Sequence, residues 1–316
     1  MNLHFKLATA SILISSVLAG TDIEISSMRR DISNKTFPRF ENGILCGVDM
    51  ENHRVYALKA DGTSMFDMMI TIPDATSATA NRCTAASNGT VVFSGWATNS
   101  SGATVVFLAF VHSSGAIARI QQMDIAPSRM SFDPNGNLWI AGGVLGTKYK
   151  IGDPRDIFVR RYSLDGKVLQ SLTIPYPLES KSDPGPLYQA FATSTSQGLY
   201  ILAIQRKSMI FVPLAKDGEV VQPKIRNFDA TMLPSDISGF TVTRTGDAYL
   251  SGIAPAPQTK FGKQNAYFRW EDSTHTWKQM EVEAHGQNKP LILLGTDGDR
   301  LLSSFLVGEF VWHTAH

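Results

Sequence analysis

The stretch MSFDPNGNLWIAGG (130–143) sets two short apolar runs on either side of an Asp-Pro-Asn-Gly turn. Apolar residues flanking an Asn-Gly pair specify an antiparallel hairpin, because turns with positive φ match the twist of the strands they join. The phrase recurs in FPRFENGILCGV (37–48), CTAASNGTVVFSGW (83–96), AFATSTSQGLYILAI (190–204), GFTVTRTGDAYLSGI (239–253) and LILLGTDGDRLLSSF (291–305). The six turn glycines are Gly43, Gly89, Gly136, Gly198, Gly246 and Gly298. Their spacing of roughly fifty residues is that of a repeat architecture.

A second hairpin follows most copies: VYALKADGTSMFDMMITI (55–72), VVFLAFVHSSGAIARIQQMDI (105–125), IFVRRYSLDGKVLQSLTI (157–174), MIFVPLAKDGEVVQPKI (209–225) and AYFRWEDSTHTWKQMEV (266–282). One repeat is therefore four strands, a to d. Such a unit cannot bury both faces alone, so neighbours must stack around an axis. The expected fold is all-β: a six-bladed β-propeller of four-stranded blades. The last repeat lacks a strand d, and TDIEISS (21–27) is β-prone and otherwise unassigned. An N-terminal strand is thus expected to close the last blade, which removes an exposed sheet edge.

Residues 1–20 carry Lys6, an apolar run and the small-residue ending Val17-Leu18-Ala19, the layout of a secretory signal peptide. Thr21 stands where a lipoprotein would have cysteine. Residues 21–316 are expected to form a single domain, secreted or periplasmic, with no membrane insertion. The chain has 316 residues and a net charge of +1, which argues against nucleic acid as a partner. A monomer is expected. Cys46 and Cys83 are the only cysteines. They are read either as small buried hydrophobes or as one bridge, and export permits the latter.

The phrases FDPNGNLWIAGG and FVRRYSLDGKV resemble the blades of six-bladed propellers of the NHL-like and gluconolactonase-like kind, over nearly all the mature chain. The resemblance implies a range of roles, from lactonases and lyases to pure binding modules. Lactonase-like members hold an axial metal with Glu, Asn and Asp on inner strands. Five residues before the turn glycine this chain offers Thr84, Ser131, Thr193 and Thr241, with Leu293 in the last repeat and Pro38 in the first. These hydroxyls are expected to line the channel. They suit water better than a hard cation, so neither metal nor cofactor is expected.

Loop lengths separate two faces. The a–b and c–d turns are tight, whereas 143–156, 176–187, 227–236 and 254–265 are long and fall in the b–c and d–a class. Long loops on a rigid scaffold carry binding. Tyr149, Tyr176, Tyr188 and Phe261 give that face aromatic surface. Lys148, Lys150, Arg155, Lys260 and Lys263 give it positive charge, among Asp153, Asp156, Glu179 and Asp183. Seven residues before the turn glycine, Arg82 and Arg129 fall at the channel mouth, where paired guanidiniums suit a carboxylate or phosphate. The candidate ligand-binding set is Arg82, Arg129, Tyr149, Arg155, Tyr188 and Lys260. The expected function is an exported scaffold binding a small anionic ligand, sugar or protein partner on this face. The alternative is a lactonase- or esterase-like hydrolase in the channel, for which no catalytic spacing stands out.

Overall fold

The structure, a computed structural model, describes residues 23–24, 38–144, 156–176, 187, 190–204, 207–228, 233, 235–255, 263–280, 291–297, 300–305 and 309–314. The proposed leader lies outside the described residues.

Strands β2 (Arg39–Glu41), β3 (Ile44–Asp49), β4 (Arg54–Lys59) and β5 (Ser64–Met69) make the first blade in chain order. Blade II follows as β6 (Ala75–Ala85), β7 (Val91–Asn99), β8 (Thr104–Val111) and β9 (Ile117–Met123). Blade III is β10 (Ile125–Phe132), β11 (Leu138–Val144), β12 (Ile157–Tyr162) and β13 (Val168–Ile174). Blade IV is β14 (Ala190–Thr195), β15 (Gly198–Ala203), β16 (Ser208–Pro213) and β17 (Lys224–Asn227). Blade V is β18 (Ser235–Val242), β19 (Ala248–Pro255), β20 (Lys263–Glu271) and β21 (Thr276–Met280). The C-terminal sheet holds β22 (Leu291–Asp297), β23 (Arg300–Phe305) and β24 (Glu309–Thr314). A two-residue strand, β1 (Ile23–Glu24), pairs antiparallel with β24 through Ile23↔Phe310 and Glu24↔Glu309. The fold is a β-propeller of four-stranded antiparallel blades.

The middle strands show why the blades stack. In TVVFLAFV (Thr104–Val111) nearly every residue is buried, because both faces of the sheet meet a neighbour. Phe107, Ala109 and Val111 pack with Cys46, Val48 and Val55 of blade I. Val106, Leu108 and Phe110 pack with Leu138 and Ile140 of blade III. Trp139 and Ala141 then face Leu199 and Ile201 of blade IV. Tyr249 and Tyr267 of blade V meet Leu293 and Leu301, and Leu294 and Leu302 meet Phe40 and Leu45. Each innermost strand also packs on the next, β2 on β6, β6 on β10 and so on to β22, which returns to β2.

The repeated phrase has a structural reason. Asp133 is fully buried at the side chain and accepts from the Asn135 and Asn137 amides at 3.0 and 2.9 Å. It also accepts from Trp139 Nε1 at 3.2 Å and from Arg161 Nε and Nη2 at 3.2 and 3.1 Å. Arg161 continues to the Gly218 carbonyl of blade IV at 3.0 Å. The Asp-Pro-Asn-Gly-Asn-x-Trp wording thus fixes a turn and links two blades.

One sequence expectation needs correcting here. Tyr176 is not aromatic surface: it is 7% exposed and packs with Ile157, Ile174 and Leu199. Its backbone N–H donates to Asp156 Oδ1 at 3.2 Å, so that acid caps a strand end. The four long segments named from the sequence all follow β11: blades I and II have short b–c and d–a connections (50–53, 70–74, 100–103 and Asp124 alone). Among the described residues no helix is long and apolar enough to cross a membrane.

Candidate functional site

A cavity of about 670 Å³ lies at the axis, lined among the described residues by β2, β6, β10, β14, β18 and β22 and the turns that end them. Strand a begins at the d–a connection, so its first residues stand at the face bearing the b–c and d–a loops. Of the arginines on the cavity, Arg39 is the first residue of β2, while Arg82 is the eighth of β6 and Arg129 the fifth of β10.

The pairing register shows that these three are equivalent. Arg39 pairs with Cys46, Arg82 with Ser94 and Arg129 with Ala141, and each partner immediately precedes a glycine of strand b, Gly47, Gly95 or Gly142. Two residues further on, Glu41 pairs with Ile44, Thr84 with Val92 and Ser131 with Trp139. Glu41 therefore holds in blade I the place of the hydroxyls in blades II and III. Counting from the turn glycine missed both Arg39 and Glu41, because the blade I turn has only two residues, Asn42 (φ 52°) and Gly43 (φ 79°). In blades II, III and V five residues close the turn, with hydrogen bonds such as Gly89 N–H to Ala86 O at 3.0 Å.

Glu41 is 9% exposed and fully engaged. Its carboxylate accepts from the Thr84 and Ser131 hydroxyls, from the Phe132 amide at 3.3 Å and from Arg39 Nη2 at 2.8 Å. Ser131 Oγ also lies 2.8 Å from Ser194 Oγ of blade IV and accepts from the Ser194 amide at 2.8 Å. Of the hydroxyls expected to line the channel, Thr193 and Thr241 face the cavity. Thr84 and Ser131 do not: both are fully buried, and Glu41 covers them.

The arginines bind the mouth together through backbone oxygens. Arg39 reaches the Ala192 carbonyl of blade IV at 2.7 Å. Arg82 donates to Asn81 O at 2.6 Å and to Ser128 O at 3.4 Å. Arg129 donates from Nε to Ala190 O and from Nη1 to Ser128 O at 2.5 Å. Neutral carbonyls do not cancel charge. Among the described residues Arg39 has one carboxylate partner, Glu41, and Arg129 has none. Burial first, then the like charges of Arg82 and Arg39, pull the Arg129 pKa down to about 9. Burial likewise lowers that of Arg82. The site is thus a cationic rim whose guanidiniums keep unused N–H donors: Nε and Nη1 of Arg39 and Nη2 of Arg129 have no hydrogen-bond partner among the described residues.

The rest of the wall differs. Blades IV and V and the C-terminal sheet contribute the hydroxyls of Thr193, Ser194, Ser238 and Thr241 beside half-buried Phe191 and Ile292, with Phe240, Val242, Leu293 and Leu294 packed behind. At the far end Arg244 and Asp297 stand near the a–b turns. No histidine is among the described residues lining the cavity, and no group of three or more His, Cys, Asp or Glu among the described residues is placed to hold a metal. Tyr149, Arg155, Tyr188 and Lys260 lie outside the described residues, as do Lys148, Lys150, Asp153, Glu179, Asp183 and Phe261. Cys46 and Cys83 are unbridged thiols in side-chain contact between blades I and II.

No protein-family description matches the chain, and no curated protein sequence does. Solved structures share its shape at low identity. A protein of unknown function from Bacteroides caccae is 11% identical over 86% of this chain and 92% of its own, with a TM-score of 0.47. A presumed exported protein from Bacteroides fragilis is 11% identical over 86% and 79%, with a TM-score of 0.48. The β-propeller domain of the Trilobed protease from Pyrococcus furiosus is 14% identical over 72% and 63%, with a TM-score of 0.42.

Proposed function

We propose that this chain is an exported, six-bladed propeller that binds a small anionic molecule at the mouth of its central channel, without catalysis. The observation that carries the reading is the alignment of Arg39, Arg82 and Arg129 at one register position of three successive blades, all on one cavity. A buried guanidinium without a counter-charge is costly, and a carboxylate or phosphate offsets that cost through paired hydrogen bonds. Six blades closed by the N-terminal strand are supported by the β1–β24 pairing and by the return of β22 onto β2. Export rests on the leader-like residues 1–20.

The test is a thermal-shift panel of acetate, benzoate, citrate, phosphate and sulfate on the wild type and on Arg82→Ala/Arg129→Ala. At least one anion is expected to raise the wild-type midpoint, as any ligand selective for the native state must. The double variant should lose that response. Equal responses in both proteins would remove these arginines from the site, and no response in the wild type would remove the function.

A further inference from the structure

The three arginines are drawn together by the carbonyls they bind. Arg129 Nη1 and Arg82 Nε both reach Ser128 O, at 2.5 and 3.4 Å, so one oxygen sits between two guanidiniums. Arg129 Nε and Arg39 Nη2 grip the Ala190 and Ala192 carbonyls, two residues apart on β14 and so about 7 Å from each other. β14 is the innermost strand of blade IV, with one edge open to the channel. Side chains from blades I, II and III thus converge on one part of the cavity. Their nearness shows at Arg129, whose pKa is lowered first by burial and then by the like charges of Arg82 and Arg39.

Two carboxylates border the cavity among the described residues, Glu41 and Asp297. Asp297 is taken by Arg300 at 2.5 Å, and Glu41 by Arg39 at 2.8 Å. Three guanidiniums against one carboxylate leave an excess of two positive charges, of which a monoanion cancels half. A carboxylate also presents its two oxygens in one plane. The open N–H donors lie on three nitrogens of two blades, Nε and Nη1 of Arg39 and Nη2 of Arg129. Three oxygens splayed from a tetrahedral centre meet them better than two.

We propose that the anionic group of the ligand is a doubly charged tetrahedral oxyanion, a phosphate group or free sulfate, held between Arg39, Arg82 and Arg129. This rests on the anion-binding reading above and adds charge and shape to it. Guanidinium N–H groups match phosphate oxygens in pairs, and such bonds between ionised partners are about twice as strong as neutral ones. The backbone contacts hold each guanidinium in place before the ligand arrives, so little side-chain entropy is lost on binding.

Calorimetry on the full chain at low ionic strength tests this with inorganic phosphate, glycerol 3-phosphate, sulfate, dimethyl phosphate and acetate. At pH 8 the first three are dianions and should bind at least about tenfold more tightly than dimethyl phosphate, a tetrahedral monoanion, or acetate, a planar one. A phosphate monoester takes up its next proton with a pKa of about 6. Glycerol 3-phosphate should therefore weaken about tenfold relative to sulfate, which stays doubly charged, between pH 8 and pH 5. Arg39→Gln, checked for folding by thermal melt, should lower glycerol 3-phosphate affinity more than acetate affinity; the wild-type comparisons need no variant. The tightest of the three dianions gives the source of the group. If acetate or dimethyl phosphate matches them, or if glycerol 3-phosphate does not weaken relative to sulfate, the double charge is wrong and the anion site stands. Absence of binding by every probe overturns both.

Discussion

Blades I to III and the remaining blades are built with the same hardware but differ in where they carry buried arginine at the axis. Both halves bury alternating apolar residues between neighbouring sheets. Both close strand a onto strand b with an acid in the turn: Asp133 in blade III bonds Arg161, and Asp247 in blade V bonds Arg269 at 2.7 Å. Yet the inner strands of one half place Arg39, Arg82 and Arg129 on the cavity, while in the other half Phe240 and Leu293 are packed against neighbouring strands and Phe191 is half-buried. The packed residues answer to the frame, so it is the arginine half that reports on what the channel holds.

The common frame should fail most severely where it is most buried. Asp133→Ala leaves the Arg161 guanidinium, 9% exposed at its side chain, without its carboxylate. The loss should be about 3–5 kcal/mol of unfolding free energy in urea titrations. Asp247→Ala breaks a pair with side chains 43% and 35% exposed and should cost about 1 kcal/mol or less. Equal losses would mean that the turns do not differ as their burial says they do. Next in size is Glu41→Gln, which removes the charge accepting from Thr84, Ser131, Phe132 and Arg39. It should cost about 1.5–3 kcal/mol of stability. The same change frees Arg39 and should tighten binding of whichever panel anion stabilises the wild type. A variant both less stable and no tighter for anions would place Glu41 in the frame alone and break the contrast between frame and wall.

How far this contrast was readable beforehand depends on where the determinants are local. Strand order within each blade was legible, because a period of two and positive-φ turn residues are properties of neighbours in sequence. Arg82 and Arg129 were found by counting from the turn glycine, a rule valid wherever the turn keeps five residues. Arg39 and Glu41 escaped it because Asn42-Gly43 closes blade I with two. Counting from the strand b glycines Gly47, Gly95 and Gly142 recovers them, but that anchor is visible only once the strands are paired. Tyr176 was misjudged for a different reason. Its place after a strand suggested a loop, and only the approach of blade IV buries it. Leu293, found by the same count, and Phe240 beside it border the cavity yet pack as core residues, 3% and 6% exposed.

The rim should also titrate earlier than arginine normally does. Arg129 is buried and faces Arg82 and Arg39 as like charges, and its pKa is lowered to about 9. An anion favours the charged guanidinium, so affinity is complete below that value and is lost as pH rises through it. For the empty protein the sign is the reverse. The folded pKa lies below the unfolded one, so deprotonation favours the native state and stability from this group grows as pH passes about 9. Binding by calorimetry of whichever panel anion stabilises the wild type should be level from pH 8 to just below 9 and weaker by pH 10. A flat profile to pH 10 would show that the rim is more solvated than its burial implies.

The smallest effect belongs to the seam inside the charged half. Cys46 of β3 is fully buried and touches Cys83 of β6, which also lines the cavity between Arg82 and Thr84. Burial, and then the neighbouring Cys83 thiol, push the Cys46 pKa well above the ordinary thiol range. Since only a thiolate is nucleophilic, Cys46 should resist iodoacetamide at pH 8 in the native protein and react on unfolding. Cys83→Ala removes one sulfur from the same cluster and should cost about 1 kcal/mol, close to the penalty for a small cavity. It leaves the arginines in place, so anion affinity should hold. Rapid alkylation of native Cys46 would mean that the seam between blades I and II opens, and the rim of three arginines would then be a transient arrangement instead of a built wall.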